Sequence, residues 1–370
     1  MARTPKTLLP ALLVALVGTP AALGQTVPEP GPGLGAAEAA AYLDELAPTN
    51  AALVYYQHLL TTPDSTLQAY VHFNADPDDD ESYGQSLEEA ELAMADAQEM
   101  LDNLAWASRL PVCDFGVQYQ QGWGALLPHL GKLRSFARVL EADARRHFAA
   151  GDPDKAAERL ATICNMSRQI VDREPVLITS LVSIAITTFA HTAVLEAIES
   201  GQLTDAGRDM LIESLKQFEG DDPFKVRECV KMEAVVSLGW LAKTFPDGGA
   251  GTELKKMGFL YDDTSAQTIR KLNDMSGPEF LAEAERMLEF SRRTLDAWNE
   301  PDAVAQMDQL GAVVGVGGFG ELGKAFAPAF GKARASDLRG QAMLEETLAA
   351  LAAYEHHKPD APATDTGSDR

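Results

Sequence analysis

Apolar residues recur along this chain at spacings of three and four, with no sustained alternation, and that period reads as helix rather than strand. Ser86-Leu-Glu-Glu89 has the form of a capping box, in which serine and the acid three residues on satisfy each other's backbone N–H groups. It opens a helix with Leu87, Met94, Leu101 and Leu104 near heptad spacing. A long helix is predicted from about Ala125 to Ala149, with Leu126, Leu130, Leu133, Ala137, Leu140 and Ala144 keeping the same rhythm. Gly151 stops it. Asp152-Pro153 starts the next, an acid at the N-cap and proline at the first helical position, and that helix buries Ala156, Leu160, Ile163, Ser167 and Ile170.

From Pro175 to Leu195 no residue carries a fixed charge. A helix apolar on all sides is either the centre of a bundle or a membrane span. Thr179, Ser180, Ser183, Thr187, Thr188, His191 and Thr192 make this a poor span, so the bundle centre is the expectation.

Further helices follow Leu203-Thr204-Asp205, run from Asp222-Pro223 to about Phe245, and run from Ser276-Gly-Pro278-Glu279 through Trp298, where Asn299-Glu-Pro301 breaks the pattern. Residues 246–276 are looser and mark a candidate sub-boundary. A glycine-rich apolar stretch, 311–320, precedes a last helix from about Ser336 to Tyr354. Short turns between long amphipathic helices force antiparallel neighbours. The predicted fold is all-α, an irregular multi-helix bundle or array of antiparallel helical hairpins. Ala144 to Leu160, with its Gly151-Asp152 turn and the small pair Ala156-Ala157, looks locally like a tetratricopeptide hairpin, and Ser200 to Asp205 like a weaker second turn. The period of about 34 residues does not persist in tandem.

The ends of the chain differ from this middle. Arg3 and Lys6 precede the apolar run Thr7–Val17, and small residues follow to Ala22 and Gly24. That three-part layout reads as a secretory signal peptide over 1–24, cleaved after Gly24, with no cysteine nearby to accept lipid. Residues 25–36, rich in Pro and Gly, read as a flexible linker. The helical domain spans 37–357, and 358–370 have too little to bury and read as a disordered tail. Formal charge is −24, and loss of Arg3 and Lys6 takes it to −26. Such a surface repels nucleic acid and anionic lipid, so no nucleic-acid partner and no membrane span after signal cleavage are expected. In an oxidising compartment the three cysteines raise a disulfide question. Cys164 lies at a core position, which leaves Cys113 with Cys229 as the pair to test.

Motifs for chemistry fail on context. Gly315-Val-Gly317-Gly-Phe-Gly320 matches a dinucleotide fingerprint, but Ala312-Val-Val314 is too short a strand to precede it, and Asp337 falls at a helix start. Asp76, Asp78 and Asp80 have the first spacings of a calcium loop, yet Glu81 stands where glycine is needed and Leu87 where a bidentate Glu is needed. His356-His357 offers at most adventitious metal. No metal site, cofactor or catalytic set is predicted. The segment from Cys113 to Arg134 crowds aromatics, glycines, His129 and Arg134 at a loop-to-helix junction. Such mixtures build pockets, and they also build packed corners. Trp123, His129, Arg134 and Arg138 are the candidate pocket residues. Arg134, Arg138 and Arg145 share a face with Glu141 between them, an ion-paired face or an anion-binding stripe.

The same segment resembles a family of uncharacterised exported helical proteins of planctomycete-type bacteria. The matching residues are Cys113-Asp-Phe115, Leu127-Pro-His129-Leu with Leu133-Arg134, Gly151-Asp152 with Ala156-Ala157, and Leu177-Ile178 with Leu181-Val182 and Ile184-Ala-Ile186. They lie within residues 100–240. Tyr354-Glu-His356-His-Lys-Pro359 is a faint counterpart of that family's C-terminal Tyr-Arg-x-x-His-Gly-x-Tyr-Pro. The resemblance implies a helical fold and export, and no activity. The expectation is a non-enzymatic interaction or scaffold protein of the periplasm or cell envelope with a protein partner. The alternative is a hydrolase or small-molecule-binding protein with a pocket around residues 113–134.

Overall fold

Helices and the turns between them make up this chain wherever the structure, a computed structural model, describes it: residues 48–69, 86–173, 176–258, 260, 266–326 and 329–355. The leader at 1–24, the linker at 25–36, the Asp76–Asp80 loop, His356-His357 and the tail at 358–370 lie outside the described residues. Among those described there is no strand, only two isolated bridges, and the all-α fold stands. In chain order the helices are α1 (Ala51–Thr61), α2 (Asp64–Gln68), α3 (Leu87–Asp96), α4 (Gln98–Ala107), α5 (Pro128–Ala150), α6 (Pro153–Arg173), α7 (Leu177–Glu199) and α8 (Asp205–Lys216). There follow α9 (Val226–Thr244), α10 (Gly251–Lys256), α11 (Ala266–Asp274), α12 (Gly277–Asp296), α13 (Ala303–Gly315), α14 (Gly320–Phe326) and α15 (Phe330–Ala353).

Local chemistry sets most helix ends. Ser86 N–H donates to Glu89 Oε2 at 2.8 Å and Glu89 N–H to Ser86 Oγ at 3.2 Å, closing the expected capping box. Gly151 ends α5 at φ 77°, a conformation that glycine adopts without a Cβ penalty. There Asp152 N–H donates to His147 O at 2.9 Å, and the chain turns directly into α6. Several boundaries depart from expectation: the helix opened by Ser86 breaks at Ala97 into α3 and α4, and the one expected to open at Asp222-Pro223 starts at Val226. The helix expected from 125 starts at Pro128, because the residue before a proline is pushed out of the helical region. Residues 119–124 form a 3₁₀ turn instead. The glycine-rich stretch is helical through Gly315 and turns only at Val316–Phe319, and the last helix begins at Phe330, whose ring is buried with Ala333. Asp337 therefore sits inside a helix.

The main core gathers α1 to α9 with α13 and α15, and takes in Phe290 of α12. α5 packs on α6, α6 on α7 and α8, and α7 also on α5, α9 and α15. A second, smaller core collects Leu241, Leu254, Leu272, Phe280 and Leu322 from α9 to α12 and α14, so the looser 246–276 stretch is where this second cluster begins. Among the described residues α7 is the one helix long and apolar enough to cross a membrane. Four of its hydroxyls face inward, while Thr188 and Thr192 are exposed and bond back to their own helix. Thr179, Ser180, Ser183 and Thr187 are buried. Ser167 Oγ on α6 lies 2.7 Å from Ser183 Oγ and 2.8 Å from Thr187 Oγ1. Ser180 O–H donates to Phe224 O at 2.7 Å. Small, mutually bonded side chains let α6 and α7 approach closely without an orphaned polar group.

Between α4, α5 and α6 runs a buried ionic network. Arg159 and Asp143 are both fully buried, and Arg159 Nε donates to Asp143 Oδ2 at 2.9 Å. Arg159 Nη2 donates to Asp102 Oδ1 at 2.8 Å, Arg146 Nη1 to Asp143 Oδ1 at 3.1 Å, and Gln98 Nε2 to the same Oδ1 at 2.9 Å. Lys155 and Glu158 extend the network to the surface.

Removing one partner of a buried pair strands the other charge. Asp143→Ala should destabilise by about 3–5 kcal/mol in urea unfolding, whereas the double change Asp143→Leu, Arg159→Met should recover most of that loss. Acid should act through the rim of the same network. Burial opposes ionisation of Asp102 and Glu158, yet hydrogen bonds from Lys155 and Arg159 to the first, and from Lys155 and Arg109 to the second, outweigh it and hold both below their ordinary 3.8 and 4.5. Depressed folded-state values mean that the stabilisation is complete above the ordinary range and is lost as pH falls through the folded values. Urea midpoints should drop from about pH 5 downward, and Asp102→Asn should make that drop shallower. The difference is modest, since Asp102 is half exposed.

Candidate functional site

The segment before α5 is pinned at its start and divided in its middle. Asn50, the N-cap of α1, donates from Nδ2 to Asp114 O at 2.9 Å and accepts from Asp114 N–H at 2.8 Å. This holds Phe115 inward. The ring of His129 stacks on Phe115 with centroids 4.0 Å apart and planes 9° apart, and Tyr56 meets Phe115 edge-on at 5.2 Å. His129 is buried in that aromatic corner.

Trp123 goes the other way. Its Nε1 donates to Ser237 Oγ on α9 at 2.8 Å, and its ring lies 5.2 Å from that of Trp240. Gly122 makes this approach feasible: its φ is 54°, and a Cβ there would collide with the Trp240 side chain. Trp240 meets Phe245 edge-on, and Phe245 meets Phe280, which carries the aromatic run into the smaller core. Arg134 is exposed on α5, and Arg138 stands over the Phe189 ring of α7 at 5.4 Å. The structure therefore does not bring Trp123, His129, Arg134 and Arg138 together. Nor do the three arginines form an anion stripe: Arg145 is paired with Glu141 at 3.1 Å and with Glu196.

A cavity does lie beside this segment, assembled from residues that spacing alone could not join. A solvent-open pocket of about 380 Å³ lies between the 117–127 stretch, the first turns of α7 and the middle of α9. Val117, Tyr119, Trp123 and Leu127 form one wall, and Leu177, Ile178 and Leu181 another. α9 contributes Val236 and Glu233. Glu233 is the single charged residue of the lining. Its Oε2 accepts from Leu177 N–H at 3.3 Å, closing an α7 N-terminus whose cap residue, Val176, supplies no side-chain acceptor. Burial among apolar groups pushes its carboxyl above the ordinary 4.5 in spite of that bond. Sequence reasoning missed Glu233, which reads as one more acid on a mixed helix; the apolar run Ala234-Val-Val236 beside it was the available signal. A second hollow, about 780 Å³, lies beside His58, but its wall residues Gln68 and Glu89 adjoin residues 70–85, outside those described.

Cys113 and Cys229, the pair to test for a disulfide, stand on different seams of the structure. All three cysteines are free and buried. Cys113 sits on the pinned segment against α1, near Tyr55, whereas Cys229 Sγ lies 2.9 Å from Ser180 Oγ in the seam between α7 and α9. Burial pushes the thiols of Cys164 and Cys229 up to about 12. At pH 8, iodoacetamide should label none of the three in the native protein and all three in guanidinium without reductant, read by intact mass; labelling of a single thiol in guanidinium would reveal a disulfide. Scanned against family models, curated proteins and solved structures, the chain matches none of them.

Proposed function

We propose that this chain is an exported, non-catalytic binding protein of the periplasm or cell envelope that takes a small apolar molecule into the cavity between α7 and α9. The observation that carries the reading is the cavity itself: apolar walls, one carboxylate, and a volume at the lower end of the range for small-molecule sites. Binding is favoured over hydrolysis because the carboxylate stands alone among apolar side chains. Acid–base cleavage asks for a second, oriented partner across the substrate. Export rests on the layout of residues 1–24, and the acidic surface suits a soluble protein. α7 is read as the centre of the bundle, since its hydroxyl groups bond inward to α6 and to Phe224. A protein partner is the second reading. Leu126, Ile178 and Val235 are exposed large apolar residues in or next to the cavity wall, and clustered apolar exposure marks contact surfaces.

Protein recovered from the periplasm of a bacterial host should begin at Gln25. It should bind an environment-sensitive naphthyl dye saturably, with one site. Val236→Phe, which projects a ring into the space, should weaken the dye by at least about tenfold, roughly 1.4 kcal/mol, with an unchanged melting temperature. Non-saturable dye binding, or binding indifferent to Val236→Phe, counts against the cavity; retention of residues 1–24 counts against export.

A further inference from the structure

We infer that the molecule held in this cavity carries a protonated amine on its apolar body and seats that amine on the Glu233 carboxylate. The inference rests on the cavity reading above and adds the ligand's charge.

What singles out Glu233 is how the other buried acids are treated. Asp143 has Arg159 and Arg146, Glu141 has Arg145, Glu283 has Arg286, and Asp337 has Arg334. Each fully buried carboxylate among the described residues thus faces a guanidinium, as the energetics of burying charge require. Glu233 is half-buried, and its one bond is to the backbone N–H of Leu177. Among the described residues no Lys, Arg or His pairs with it, and its hydrogen bond is made through Oε2 alone. A helix N-terminus supplies only a partial positive charge. The missing full charge is what a ligand would bring.

Three further features favour a cation over a neutral or anionic head. Trp123 and Tyr119 line the same cavity, and aromatic faces attract ammonium groups. The protein carries a formal charge of −24, which concentrates cations and repels anions near its surface. Apolar walls on α7 leave the carboxylate as the sole ionic anchor, so an apolar body and one cationic head match the lining. About 380 Å³ suits a single ring or a short chain.

The test is displacement of the naphthyl dye by three matched molecules: phenethylamine, phenethyl alcohol and 3-phenylpropionate. The amine should displace it about tenfold better than the alcohol, and the acid worst. Glu233→Gln keeps an oxygen for the Leu177 N–H, so the fold should hold, checked by an unchanged melting temperature. In that variant the amine should lose its advantage while the alcohol binds as before. Equal displacement by amine and alcohol in the wild type, or an amine preference that survives Glu233→Gln, overturns the inference and leaves the cavity reading intact. Failure of the dye itself to bind removes both. Should Glu233→Gln melt lower, Glu233→Asp gives the second check: the retained carboxylate should keep the sign of the amine preference, and equal displacement by amine and alcohol in a variant that still binds the dye overturns the inference.

Discussion

Asp143 and Arg159 are both withdrawn from water, on consecutive helices, and neither can remain there without the other. The pair locks α5 to α6, and through Gln98 and Asp102 it draws α4 onto the same hairpin. Ionisation in a low-dielectric interior tolerates few geometries, so the register of these three helices is far narrower than apolar packing alone would impose. Downstream elements then have a fixed platform: α7 and α8 both pack on α6, and α15 packs on α7.

The second constraint is the seam between α6 and α7. A helix as apolar as α7 would pack against almost any surface, in any rotation. Its buried serines and threonines remove that freedom, because each hydroxyl must find a partner, and Ser167 supplies one for both Ser183 and Thr187. The buried hydroxyls of α7 are thus the groups that specify its place in the bundle.

Much of the helical fold was legible in the chain because it is written locally. The Ser86 and Ser276 caps, the Gly151 stop and the Asp152-Pro153 start each need only a few neighbouring residues, and the structure closes them as expected. Legibility fails where distant segments meet. Asp143 and Arg159 read as ordinary surface charges until the hairpin folds them face to face. Glu233 acquires its meaning only when α7 begins beside it. The rich composition of 113–134 pointed to the right neighbourhood, yet Gly122 turns the chain so that His129 and Trp123 leave in different directions, and only Trp123 reaches the cavity. Nor can spacing tell that Cys113 is held against α1 and Cys229 against α7.

The two apolar clusters meet at the cavity. Leu127, Leu177 and Leu181 pack on the larger, and Trp123 packs on the smaller. Two helices run through both clusters: α9 carries Val230 in the larger and Leu241 in the smaller, and α12 carries Phe290 in the larger and Phe280 in the smaller. The clusters are therefore one cooperative body, and a change that loosens the smaller one reaches the larger along those two shared helices.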